Sequence, residues 1–346
     1  MNDDNLIIKT ENLTKKFGDI TAVDSLTLSI RKGEIFGLVG PDGAGKTTTI
    51  RILAAIMSPS AGAASVAGFD TMKDGQAIKE RIGYMAQQFN LYGDLSVLEN
   101  LTFFADIFAV RGKTRRERID KLLHFARLTE FTGRRAGRLS GGMKKKLALA
   151  CSLIHEPDIL YLDEPTTGVD PVSRREFWDI LADLHIQGVT ILISTPYMDE
   201  AERCSRVGLM YEGRLIECDT PENIKGRVAG ELIELKPVSQ TVQGVGLLRQ
   251  AQSAVGALEG VFEVQTYGDL LHIFVDQAGA RQTSIVRALN AANIESRNLR
   301  QTRPRMEEAF ISLIRRQTEA TDGGGERGMM KDEGRTLRVK DGAYDT

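Results

Sequence analysis

The chain has 346 residues, room for two domains of ordinary size and for a sizeable core in at least one of them. Its 45 basic and 47 acidic residues leave a formal net charge of -2 and a pI near 6.2, which removes the electrostatic case for nucleic-acid binding. Cys151, Cys204 and Cys218 are odd in number and lie in no metal-like or redox-like spacing, so buried free thiols in a reducing compartment are expected.

The N-terminal MNDDNLIIKT is acidic and has no apolar h-region, so it is not read as a secretory signal. No apolar run reaches the roughly 18 residues needed to cross a bilayer, and a soluble, cytosolic chain is expected. From Leu6 to about Lys225, strand-like and helix-like runs alternate. TAVDSLTLSI and AASVAG alternate as antiparallel edge strands do. EIFGLVG (34–40), DILYLDE (158–164) and GVTILIS (188–194) are nearly continuous apolar runs, the pattern of parallel strands covered on both faces. Between Ser96 and Arg138 only helical periods occur. SVLENLTFFADIFAV opens on Ser96 with Glu99 placed to complete a capping box, and RRERIDKLLHFARL follows it. This predicts an all-helical insertion into an α/β core. Trp178, at helical spacing with Ile180 and Leu181, is assigned to the core.

After 226–230 the texture changes. ELIELKP, VGLLRQAQSAVGAL, VFEVQTY, LLHIFVD, ARQTSIVRALNAA and IESRNLRQT spell strand, helix, strand, strand, helix, strand. That order is a split βαβ, ferredoxin-like α+β unit, with RMEEAFISLIRR as a closing helix. From Thr318 the chain is rich in glycine and charge and poor in apolar residues, which predicts a disordered tail. The expected division is an α/β domain over 1–228, the small unit over 231–316 and a tail over 317–346.

Three stretches carry chemistry. GPDGAGKT (Gly40, Pro41, Asp42, Gly43, Ala44, Gly45, Lys46, Thr47) follows a strand and, with Thr48, opens a helix, the required context of a phosphate-binding loop. Its glycines let backbone N–H groups face β- and γ-phosphates, and the helix N-terminus adds its positive end. Lys46 supplies a point charge and Thr47 a hydroxyl for Mg²⁺. A glycine-rich turn without a ligand is the competing reading. ILYLDEP ends a buried strand in two carboxylates: Asp163, placed for the Mg²⁺ shell, and Glu164, placed to polarise an attacking water. Such a pair is otherwise the first turn of a helix. In LSGGMKKKLALACSLI, Ser140 can cap a helix whose first N–H groups Gly141 and Gly142 leave free for an anion. An ordinary cap with a basic first turn is the alternative. Lys144–Lys146 and GKTRRER (112–118) are read as solvated helix faces rather than nucleic-acid patches.

Together these residues resemble the ATP-binding cassette (ABC) ATPases, with Met143 where glutamine is commoner in the signature. Phosphate loop, helical insertion, signature and acidic strand also come in the family's order. The resemblance covers about Leu6 to Lys225 and implies a P-loop NTPase cassette with a mixed sheet and a helical signature subdomain. It implies that Phe17 in KKFGD stacks on adenine and that Gln87 in GYMAQQFNLYGDL touches Mg²⁺ and the attacking water, with Gln88 the alternative register. It implies that Asp170 in TTGVDP reaches across a dimer. The C-terminal unit resembles the accessory domain of ATPases from drug- and polysaccharide-export systems. After TILIST the family carries a switch histidine that contacts the γ-phosphate. Here Pro196 fills that slot, and His124, His155, His185 and His272 all lie elsewhere. Asp42, where asparagine is commoner, is a milder departure.

The resemblance implies a nucleotide-binding subunit of an ABC exporter, using ATP and Mg²⁺ in a head-to-tail dimer at the cytoplasmic face of the membrane. Its partners would be a separate permease and a second cassette, either a copy of itself or a histidine-bearing paralogue. One alternative is a regulatory cassette with little turnover, which Pro196 keeps open. Another is a soluble cassette ATPase acting on ribosomes or DNA; the charge and the single cassette speak against it.

Overall fold

The computed structural model of the protein describes residues 5–88 and 91–322. Two long strands, β1 (Leu6–Phe17) and β2 (Ile20–Arg31), open the chain as an antiparallel hairpin. Then come β3 (Ile35–Val39), α1 (Lys46–Leu53), β4 (Ala61–Val66), β5 (Phe69–Asp70), α2 (Gly75–Lys79) and β6 (Ile82–Met85). The helical insertion holds α3 (Val97–Ile107) and α4 (Gly112–Phe125), and α5 (Gly141–Ser152) follows it. The first unit closes with β7 (Ile159–Asp163), α6 (Pro171–Ile186), β8 (Thr190–Thr195), α7 (Met198–Ala201), β9 (Arg206–Tyr211), β10 (Arg214–Asp219) and α8 (Pro221–Gly226).

Two sheets result. The alternating strands form an antiparallel sheet in the order β2-β1-β4-β5. The apolar runs form a sheet in the order β10-β9-β3-β8-β7-β6, parallel from β9 to β6, with β10 antiparallel at the edge. Every residue of β3, β7 and β8 is buried, which is why these strands show no polar alternation. Register sets the site. Val39 lies opposite Thr195, Asp163 opposite Ser194, and Met85 opposite Leu162. The segments leaving β3, β6, β7 and β8 therefore emerge level, at the carboxyl edge where parallel α/β sheets bind ligands.

The insertion begins as expected. Ser96 Oγ accepts from the Glu99 N–H at 3.2 Å, and Glu99 Oε2 accepts from the Ser96 N–H at 2.7 Å. Leu101, Ala105, Ile119 and Leu123 then pack with Leu147 and Ala150 of α5 into one core cluster.

The C-terminal part comprises β11 (Glu231–Val238), α9 (Gly244–Gly256), β12 (Val261–Tyr267), β13 (Leu270–Val275), α10 (Ala278–Ala291) and β14 (Glu295–Thr302). The strands form an antiparallel sheet in the order β12-β13-β11-β14, the arrangement of a split βαβ unit. Ile233, Ile273, Val255, Ile285 and Leu289 belong to its own apolar core. The closing helix α11 (Met306–Asp322) packs against α7 and α8. Met306, Ala309 and Phe310 join Ala201, Cys204 and Ile224 in the core of the first unit. His272 is buried on the same side, with Nδ1 2.7 Å from Glu308 Oε1 and Nε2 3.2 Å from Glu234 Oε2. Phe310→Ala is expected to cost about 3 kcal/mol, the usual loss for a buried aromatic truncated to alanine. A denaturant midpoint equal to that of the parent would mean that α11 adds no stability there.

Three expectations need correction. The segment 317–322, assigned to the tail, continues α11, because no glycine or proline interrupts it before Gly323. The rest of the tail, 323–346, lies outside the described residues. Cys151 and Cys204 are buried, and burial pushes both thiols up, but Cys218 is only partly buried, with its Sγ 3.3 Å from Arg206 Nη2. In GKTRRER, Gly112, Lys113, Thr114, Arg116 and Glu117 are exposed as expected, but Arg115 and Arg118 are only a quarter exposed and pair with Asp106 and Glu156.

Candidate functional site

The phosphate-loop sequence joins β3 to α1, and two of its glycines, Gly40 and Gly45, are demanded by space. A Cβ on Gly40 would sit 2.1 Å from the Met210 carbonyl oxygen. Gly45 holds φ at 98°, and a Cβ there would meet the Ala22 oxygen at 2.4 Å. Pro41, Asp42 and Gly43 form the exposed crest of the loop, Ala44 is buried, and Thr48 lies half-buried on α1. Lys46 is 3% exposed. Its Nζ donates to the carbonyls of Gly40 at 2.8 Å and Pro41 at 2.9 Å, and stands 3.4 Å from Glu164 Oε1.

The acidic strand meets this loop directly. Thr47 Oγ1 donates to Asp163 Oδ1 at 2.9 Å, and Ser194 Oγ donates to the same oxygen at 2.7 Å. Asp163 Oδ2 is buried and has no partner among the described residues. Glu164 adopts the left-handed region, φ 46°, and its N–H donates to Ser194 O and Oγ, both at 3.1 Å. That turn aims the carboxylate back at the loop, where Oε2 accepts from Gln87 Nε2 at 2.9 Å. Five of the expected residues, Lys46, Thr47, Gln87, Asp163 and Glu164, thus form one connected cluster.

The remaining expected residues do not join it. Ser140 caps α5 by accepting from the Met143 N–H at 3.3 Å, and Asp170 caps α6 by accepting from the Ser173 N–H at 2.9 Å. That hydrogen bond holds the Asp170 carboxyl below its usual range. Gly142 lets the two helix starts meet, since a Cβ there would lie 2.4 Å from Ser173 Oγ; Gly141 faces the Gly168 oxygen. Phe17 ends β1, 47% exposed, with the Lys15 ammonium 5.1 Å from its ring centroid.

Two residues that motif reasoning passed over belong to the surroundings of the cluster. Of the three signature lysines only Lys144 is exposed. Lys146 is buried and pairs with Glu176 at 2.6 Å, which corrects the solvated-face reading. Lys145 is half-buried and donates to the Gln87 carbonyl at 3.1 Å. Burial pulls its ammonium down, against the opposing pull of Glu164 and Asp163. Beyond β8, fully buried Glu200 accepts from Thr166 Oγ1 at 2.6 Å and from Thr195 Oγ1 at 2.7 Å. Arg174 flanks it, with Nε 3.7 Å from Glu200 Oε1 and its guanidinium 4.4 Å from the Tyr197 ring centroid. Pro196 sits in this turn, half-buried, between Thr195 and Tyr197.

The donor set suits a phosphorylated ligand with a hard divalent cation. It offers a cradle that only glycine fits, one buried ammonium, a hydroxyl, and a buried carboxylate oxygen left free. Among the described residues no group of three or more His, Cys, Asp or Glu is placed to hold a metal by itself. One carboxylate plus ligand phosphates is the usual Mg²⁺ arrangement.

Residues 23–167 match the family model described as ABC transporter. The daunorubicin resistance ATP-binding protein DrrA3 of Streptomyces coeruleorubidus is 37% identical over 310 residues, covering 88% of this chain and 95% of that protein. The chain belongs to the ABC transporter ATP-binding family. This cassette is also 45% identical over 225 residues to the probable multidrug ABC transporter ATP-binding protein YbhF of Escherichia coli strain K12. That match takes in 65% of the chain but spans only 39% of the length of YbhF. A solved dimeric structure of the cassette MJ0796, in a post-hydrolysis state with ADP and Pi bound, superposes with a TM-score of 0.57 at 28% identity. It covers 62% of this chain and 98% of that one. The loop, Gln87, the signature serine and the acid pair of the cassette fall inside the matched 23–167, whereas Phe17, Asp170 and Pro196 fall outside it.

Proposed function

We propose that this chain is the nucleotide-binding subunit of an ABC exporter, hydrolysing ATP to drive a separate permease. The observation that carries the reading is the convergence of Lys46, Thr47, Gln87, Asp163 and Glu164 at one sheet edge. The loop N–H groups and Lys46 would bind the phosphates. Glu164 would take the proton of the attacking water, and Gln87, already on its carboxylate, would orient that water. Thr47, Asp163 and Gln87 would hold Mg²⁺, which supplies charge neutralisation at the phosphates. Ser140, Gly141, Gly142 and Asp170, outside this cluster, would serve the partner's nucleotide in a head-to-tail dimer, and Phe17 would stack on adenine.

Among the described residues no helix is long and apolar enough to cross a membrane. We assign the permease to another chain, with this one at the cytoplasmic face through it. A groove of about 770 Å³, walled by Ile56, Phe104, Ile107 and Phe108 between the sheet and the insertion, supports such docking. We assign 1–228 to the cassette and the residues from 231 to the end of α11 to an accessory unit of the kind carried by drug-export ATPases. Pro196 favours a second reading, a cassette with little turnover of its own or one paired with a histidine-bearing partner.

The test is nucleotide binding and phosphate release by the purified chain, with Lys46→Ala as control. Losing the buried ammonium removes charged hydrogen bonds worth about 1.5–3 kcal/mol each. ATP affinity should fall at least tenfold. Equal affinity in parent and variant would exclude the loop as the phosphate site.

A further inference from the structure

We propose that Lys145 is a positioning residue that holds Gln87 on Glu164 and ties that contact to the signature helix. The inference rests on the proposed hydrolysis at Glu164. Lys145 Nζ donates to the main-chain carbonyl of Gln87 at 3.1 Å, and the side chain of the same Gln87 donates to Glu164 Oε2 at 2.9 Å. One residue is thus gripped at its backbone by α5 and presents its amide to the acid. The adjacent lysines do other things: Lys144 faces solvent and Lys146 pairs with Glu176. Nothing in the composition of KKK distinguishes the three; helix phase does, since among them Lys145 is the one whose ammonium reaches the Gln87 carbonyl.

Lys145 lies less than two turns from Ser140, the cap of α5. Over that length a helix moves as a rigid rod. A displacement at the signature end must therefore carry Lys145 with it and pull on the Gln87 carbonyl. The cavity beneath, about 410 Å³, is bordered by Gln87, Lys145, Gly141 and Gly168 and leaves room for that movement. The geometry makes Lys145 the route by which a ligand on the signature of this chain would alter the acid pair of the same chain.

The experiment compares the parent with Lys145→Met, Lys145→Arg and Lys144→Met in the full chain. Two readouts are used: steady-state phosphate release against ATP concentration, and hydrogen–deuterium exchange of the segment around Gln87 without added nucleotide. Lys145→Met should lower kcat roughly ten- to a hundredfold, the loss of one charge-assisted hydrogen bond, with KM nearly unchanged. It should also speed exchange around Gln87 while α5 stays protected. Lys145→Arg should restore most of both, and Lys144→Met should alter neither. A Lys145→Met chain with parental kcat and parental exchange overturns the proposal. So does a fall in kcat that arginine fails to rescue, or a loss of protection along the whole of α5. If the parent itself hydrolyses no ATP, the proposed function fails while exchange still decides whether Lys145 holds the Gln87 segment.

Discussion

Glu164→Gln is expected to bind ATP as the parent does and to lose turnover by about 10²–10⁴, the usual contribution of a positioned general base. The substitution is nearly isosteric. A glutamine oxygen can still accept from Gln87 Nε2, which now reaches Glu164 Oε2 at 2.9 Å. The left-handed backbone, φ 46°, is no worse for glutamine than for glutamate. What disappears is the proposed base and the anionic partner of Lys46, 3.4 Å away. Binding and chemistry should therefore separate, and closed dimers should accumulate with ATP on gel filtration. Hydrolysis at the parental rate would remove Glu164 from the base role.

Pro196→His is expected to raise phosphate release by roughly 10²–10³, the scale measured when one transition-state donor is removed elsewhere. The position is well placed for such a donor. The Gly40 N–H donates to the Thr195 carbonyl at 3.3 Å, so residue 196 begins directly beside the first residue of the phosphate loop. Proline offers no N–H there and no side-chain donor. A missing contact that strengthens as charge develops should cost turnover more than affinity. In a homodimer both sites would carry the loss. Paired with a histidine-bearing cassette, this chain would contribute one slow site and one competent signature. A parent chain that already turns over at an ordinary transporter rate by itself would sink the idea.

Much of this was legible in the sequence because the chemistry is local. GPDGAGKT and LDEP each gather their groups within a few residues, and the apolar runs before them fix strand ends. Register then places those ends side by side. The capping box at Ser96 was readable for the same reason, since both of its bonds span three residues. Lys145 was not readable. Its acceptor is 58 residues away in sequence, and a KKK run looks the same whichever lysine turns inward. Glu200 is one of three acids in MDEAE, and nothing in that run marks out the one that is buried. Its partner Thr166 is 34 residues away, and only the folded sheet edge brings the two together. The extent of α11 was misjudged from composition, because charge and small residues are compatible with a helix that already has a packed beginning.

Glu200 has a mechanical consequence. One oxygen takes Thr166, at the head of the turn that leads to Asp170; the other takes Thr195, the last residue before Pro196. Both bonds lie out of reach of water; parting the Thr195 bond leaves Oε2 a buried acceptor at a cost of about 1–3 kcal/mol, whereas Oε1 keeps Arg174 within 3.7 Å. A shift of either loop alone would break its bond to Glu200. The two behave as the jaws of one buckle, fastened by a single carboxylate: in the head-to-tail dimer proposed above, a displacement at Asp170 would be carried to residue 196.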